Sequence, residues 1–271
     1  MPLRLHSGMV AGRSFWVTLL ALLLCGQLSA GQHRDPTQRF LITSDIHFNP
    51  MADASLVADL AAHDPAQWEA ILNRSNSTAY SQYGQDTNWW LLQSAFDAMK
   101  KNVRNPAFIV ITGDTLAHHF RDVFRQSHKN GTPELYRKFV SNTFAFVSLQ
   151  LRKRFPTTPI LITPGNNDDD CGDYGIEAGG PFLQDTATLA RQLARGEQDF
   201  VQSWTRLGSF DIPHPAIRGT HILSVNTVFF SAKYQSVKFS EGCRKAPSSA
   251  PVEMFAWLQD RLAQAQKAHE K

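Results

Sequence analysis

Cysteine is scarce in this chain, with three among 271 residues. That excludes a small scaffold held by disulfides in place of a core. Neither sign of charge dominates, with 27 basic against 24 acidic residues, and 25 against 24 once Arg4 and Arg13 are set aside. Nucleic acid and acidic membrane surfaces therefore have no electrostatic support as partners. Past residue 30 no apolar run is long enough to cross a bilayer. Internal repeats, low-complexity tracts and an evident interdomain linker are all missing, so arrays and multidomain layouts are set aside. The length and a 42% hydrophobic content suit one sizeable domain with its own core.

What is present begins with a leader. Arg4 and Arg13 precede the apolar run "FWVTLLALLLC" (15 to 25), and "QLSA" ends in small residues at Ala30. A core of about 11 residues fits a signal peptide and is too short for a span. Residues 1–30 are therefore expected to be removed, leaving a single domain over 31–271, secreted or periplasmic. Cys25 departs with the leader. Cys171 and Cys243 remain, and in an oxidising compartment they are expected to pair, two buried free thiols being the alternative.

Hydrophobic periodicity supplies the elements. "RFLITSD" (39 to 45), "AFIVITGD" (107 to 114) and "PILITPG" (159 to 165) read as buried strands. Between them lie helical patterns, "DTNWWLLQSAFDAMKKNV" (86 to 103) and "TPELYRKFVSNTFAFVSLQLRKRF" (132 to 155). The second opens with Thr132 and Pro133, and Tyr136, Val140, Phe144, Val147 and Leu151 share a face. The stretch 49–83 reads as irregular apart from a helix near 65–73. Strand alternating with helix is the pattern of a parallel sheet in an α/β domain. Residues 182–207 predict a helix broken near Gly196, then 208–213 and 220–230 two strands close in sequence, with an antiparallel arrangement expected. A last helix is expected over 250–271, presenting Phe255, Leu258 and Leu262 on one face.

Each expected strand runs into chemistry: "SDIHF" (44 to 48), "TGDTLAHH" (112 to 119) and "PGNNDDD" (164 to 170). In a parallel sheet these ends emerge on one edge, so Asp45, His47, Asp114 and Asn166 can converge. Asp45 and His47, two apart on an extended segment, would point to the same side. Carboxylates, imidazole and an amide oxygen are ligands for zinc, manganese or iron. Asp114, on the central strand, is placed to touch two ions, and two-metal sites activate water for displacement at phosphorus.

The ordered set D-x-H, G-D and G-N-N-D resembles the calcineurin-like metallophosphoesterases. "TGDTLAHH" and "VNTVFFSAKY" resemble the branch with acid sphingomyelinase-like phosphodiesterases and endopolyphosphatases. The resemblance implies a four-layer α/β/β/α sandwich, incomplete here at the carboxyl end, with two divalent metal ions. It implies that Asp45 and His47 bind the first ion, Asp114 bridges and Asn166 binds the second. The histidine four residues after the aspartate of that branch falls on His118. The implied reaction is attack of a metal-activated hydroxide on a phosphodiester or phosphoanhydride.

Two departures qualify this. The family's commoner motif is G-N-H-D, and this chain has Asn167 where the histidine stands. An amide can donate a hydrogen bond but cannot act as a proton carrier, which moves the acid role to His118, with His119 second. The family also completes its site with a histidine on a later strand and a G-H-x-H motif, and no Gly-His occurs here. The expectation is thus an amino-terminal part of a phosphoesterase. The rival is a non-catalytic protein that keeps the fold with a degenerate metal site.

Overall fold

The computed structural model describes residues 39–236, 243 and 249–271. The leader expected at 1–30 lies outside them. The order is β1 (Leu41–Thr43), α1 (Val57–Ala62), α2 (Trp68–Leu72), α3 (Trp89–Asn102), β2 (Ile109–Ile111), α4 (Phe120–Ser127), α5 (Pro133–Arg154), β3 (Ile160–Ile162), α6 (Pro181–Ala194), α7 (Gln198–Leu207), β4 (Phe210–Pro213), β5 (His221–Ser224), α8 (Ala232–Ser236) and α9 (Ala250–Lys267). β1, β2 and β3 form a parallel sheet in that order, with Ile42 opposite Val110 and Val110 opposite Leu161. β4 and β5 pair antiparallel as a separate sheet, Phe210 opposite Ser224. The class is α/β, as expected.

Start signals act where the sequence places them. The Thr132 side chain accepts from the Leu135 N–H with Pro133 at the first helical position, and Asn88 caps α3 through the Leu91 N–H. The five residues expected on one face of α5 are all buried. α5 packs against α3 and α6, α6 lies on β3, and α7 reaches β4. Phe48 is fully buried, its ring 5.5 Å from that of Phe146 on α5, which also meets Trp68 and Trp89. The residue after His47 is therefore fixed to the central helix.

Four local expectations change. β1 is not buried like β2 and β3, with Ile42 65% exposed: both β1 and β3 are edges of the sheet, but α6 covers β3. Residues 227–230 form a 3-10 turn rather than extending β5, because the Asn226 side chain accepts from the Val228 N–H and starts a turn. Helix α1 lies in the stretch read as irregular, where apolar Val57, Leu60 and Ala61 are buried. On α9 the buried residues are Ala250, Met254 and Trp257, while Phe255 and Leu262 stay exposed. Cys171 and Cys243 form a disulfide, with Cα atoms 5.8 Å apart.

Candidate metal centre

Beyond the ends of β1 and β2 the parallel pairing continues into the loops. Backbone N–H groups of Asp45, His47 and Phe48 donate to the carbonyls of Gly113, Asp114 and Thr115. The chain does not stay extended there. Asp45, His47 and Asp114 have φ of 53°, 43° and 55°. Left-handed backbone at non-glycine residues costs roughly 1–3 kcal/mol each and persists where surrounding bonds enforce it. Asp45 and His47 do face one another, but through two left-handed turns rather than by strand alternation.

Two glycines permit the approach of the second and third loops. A Cβ on Gly113 would sit 2.6 Å from the Gly165 Cα, and one on Gly165 would sit 2.2 Å from the Asp114 Oδ1. Neither loop can carry a side chain at that contact. Asp168 then joins them, its two carboxylate oxygens accepting from the Leu116 and Gly165 N–H groups at 2.9 Å each. Burial, reinforced by repulsion from Asp114 and opposed by those amides, pushes its carboxyl up to about 6.

The result is a small acidic cluster around one imidazole. His47 Nε2 lies 3.6 Å from Asp45 Oδ1 and 3.9 Å from Asp114 Oδ2. His47 Nδ1 donates to the Leu116 carbonyl at 3.1 Å, which leaves Nε2 as the nitrogen open to a metal ion. Asp45, His47 and Asp114 bring one ligand atom each within 4.8 Å of one another. Among the described residues neither Asp45 nor Asp114 is ion-paired with lysine or arginine. Two carboxylates without a cationic partner, beside a correctly oriented imidazole, fit a divalent ion of the zinc, manganese or iron type.

The remaining expected residues are placed differently. Asn166 follows Gly165, whose backbone packs against Asp114, and its Nδ2 donates to Asp173 Oδ1 at 2.7 Å. That bond occupies the amide nitrogen, so the oxygen is the atom of this side chain that could ligate an ion. Asn167 meets the centre through its backbone, its N–H donating to Asp114 Oδ1 at 2.9 Å. Its buried side chain lines a cavity of about 210 Å³ with His119, Arg121 and Asp122. His118 is half-exposed and stacks on His47, ring centroids 4.0 Å apart. His119 caps α4 in a left-handed conformation.

Asp86 was not among the residues the motifs pointed to. Its Oδ1 lies 2.7 Å from His118 Nδ1. It stands two residues before the α3 cap, in a polar "GQDTN" stretch whose composition signals only a turn.

The family model described as calcineurin-like phosphoesterase matches residues 38–267. A Dictyostelium discoideum protein named sphingomyelinase phosphodiesterase D is 29% identical over 203 residues, covering 73% of this chain and 39% of that protein. Sphingomyelinase phosphodiesterase C of the same organism is 26% identical over 205 residues, 75% of this chain and 41% of that protein. The mouse acid sphingomyelinase-like phosphodiesterase 3b is 22% identical over 229 residues, 84% and 45% respectively. The chain thus spans less than half the length of each of these relatives. With the three strand-end loops in register and the match running through nearly all of the described residues, the chain belongs to the calcineurin-like phosphoesterase family.

Proposed function

We propose that this chain is part of an exported, two-metal phosphoesterase that hydrolyses a phosphodiester or phosphoanhydride, and the relatives' names favour the phosphodiester. The observation that carries the reading is the convergence of Asp45, His47 and Asp114 with His118 stacked beside them. Export is supported by the leader-like sequence and by the Cys171–Cys243 disulfide, which suits an oxidising compartment.

Asp45 and His47 would hold the first ion, Asp114 both and Asn166 the second. Such ions, when bound, supply an activated water and positive charge beside the phosphoryl oxygens. The chain's own residues do the rest. The His47–Leu116 bond and the Asn167 N–H on Asp114 Oδ1 orient the ligands before any ion arrives. His118 stands next to the cluster without belonging to its closest trio, and it would give a proton to the leaving oxygen.

Calorimetric titration with Zn²⁺ or Mn²⁺ tests the ligands on this chain. One weak site is expected, with Asp114→Asn reducing it most. Two tight sites would show that no further ligands are needed. For the whole protein, hydrolysis of a bis-aryl phosphodiester should cease with chelator and return with metal. Turnover indifferent to chelator would overturn the proposal, and no turnover under any metal would favour the non-catalytic rival.

A further inference from the structure

We infer that Asp86 is a positioning residue: it holds the Nδ1 proton of His118, so that Nε2 faces the leaving group and the second proton of the imidazolium, carried on Nε2, is the one passed to the leaving oxygen. The inference rests on the reading of His118 as proton donor. An ionised carboxylate only accepts hydrogen bonds, so at 2.7 Å the Nδ1 is the donor. The same oxygen lies 3.4 Å from the His118 backbone N–H, so ring and peptide share one acceptor. Stacking on His47, at an interplanar angle of 20°, holds the ring plane from another direction.

Both partners are rigidly mounted although 32 residues separate them. Asp86 precedes Thr87, whose N–H donates to the His47 carbonyl and whose own carbonyl accepts from the Asn49 N–H. Two residues on, Asn88 caps α3. His118 lies between Leu116 and His119, the cap residue of α4. Thr87 and Leu116 are both bridged to Phe48, the buried residue after His47. One fixed point thus sets the spacing of acid and imidazole. A side chain that is 57% exposed would otherwise sample several rotamers and both tautomers, and holding it reduces the entropy lost at reaction.

The same side chains admit a rival use, since His47, Asp86 and His118 each bring a ligand atom within 4.8 Å of the others. Ligands of one ion at about 2.1 Å stand about 3 Å or more apart. The separation of 2.7 Å between Nδ1 and Oδ1 is that of a shared proton.

Nitrogen-15 NMR of the ring-labelled chain, with imidazoles neutral, tests the tautomer. His118 is expected as the Nδ1–H form, and as a mixture in Asp86→Ala, with His47 unchanged. An identical His118 signature in both proteins, or loss of its Nδ1 proton on adding Zn²⁺, would overturn the inference. In the whole protein, Asp86→Ala should lower kcat about tenfold or more on a poor leaving group, within the roughly 10²–10⁴ a general acid contributes. KM and the rate on nitrophenyl esters should hold, and Asp86→Asn, which keeps an acceptor, should recover part of the loss. If His118→Ala is selective for poor leaving groups and Asp86→Ala is not, the positioning role fails alone. If His118→Ala is unselective, the proton-donor reading fails, and that outcome is separate from the tautomer result.

Discussion

Asp114 can bring its carboxylate to His47 because nothing projects from Gly165. A methyl group there would meet the Asp114 N and Oδ1 at 2.2 Å each, and backbone cannot move aside as a flexible side chain can. Gly165→Ala is therefore expected to displace Asp114, to break the Asn167 N–H bond to it, and to destabilise the chain by about 1–3 kcal/mol. Metal affinity should fall along with stability. Urea unfolding beside calorimetric titration checks this, and an unchanged affinity would mean that the 113–114 loop tolerates a shift. The glycine was visible in "PGNN" only as a turn residue; its real constraint is a second loop 51 positions earlier, which local sequence does not encode. The same holds for Asp86, whose partner is fixed by a bridge to Phe48. Asp45, His47 and Asp114 were legible because each follows an apolar strand, although their left-handed backbone was not.

Elements with strong local signals emerged where expected, α5 with its Thr132 cap and α6–α7 broken near Gly196 being the clearest. β1 misled because its apolar residues look like those of β2 and β3, and only the packing of α6 on the other edge strand, β3, separates the two. The loop after β3 depends on a link that bypasses secondary structure. Cys171 closes "GNNDDD", and its bond to Cys243 spans 72 residues. In the chain-entropy model that closure stabilises the fold by about 4 kcal/mol. Reduction should lower the urea midpoint accordingly and loosen the 166–171 loop, where Asp169 is buried, is held above the usual carboxylate range by burial and by Asp170, and accepts from the Cys171 N–H. Hydrogen exchange with and without reductant separates the two effects. Equal protection of the loop in both states would confine the disulfide to global stability.

Across the whole molecule, the last helix is held at its start by buried Ala250, Met254 and Trp257, and its end is fastened to the second sheet by backbone and charged contacts. After α9, the Lys271 N–H donates to the Gly219 carbonyl and the His221 N–H to the Lys271 carbonyl. His221 then sits between two acids, Nδ1 2.6 Å from Asp211 Oδ1 and Nε2 3.1 Å from Glu270 Oε2. The hydrogen bond to Asp211, and secondarily the charges of Asp211 and Glu270, raise its pKa above 6.5. A raised histidine favours the folded state when protonated. Its contribution is fully present below the unfolded value near 6.5 and is lost as pH rises through the folded pKa. The group is mostly screened by solvent, so the effect belongs with surface pairs of about 0.2–1 kcal/mol. His221→Gln should therefore lower Tm more at about pH 6 than at alkaline pH, above the raised folded pKa. Proteolysis or hydrogen exchange at residues 264–271 should follow the same trend, with the end of α9 opening first as pH rises. A Tm difference between the two proteins that stays constant over this range would remove the charged latch and leave α9 held by Met254 and Trp257 alone.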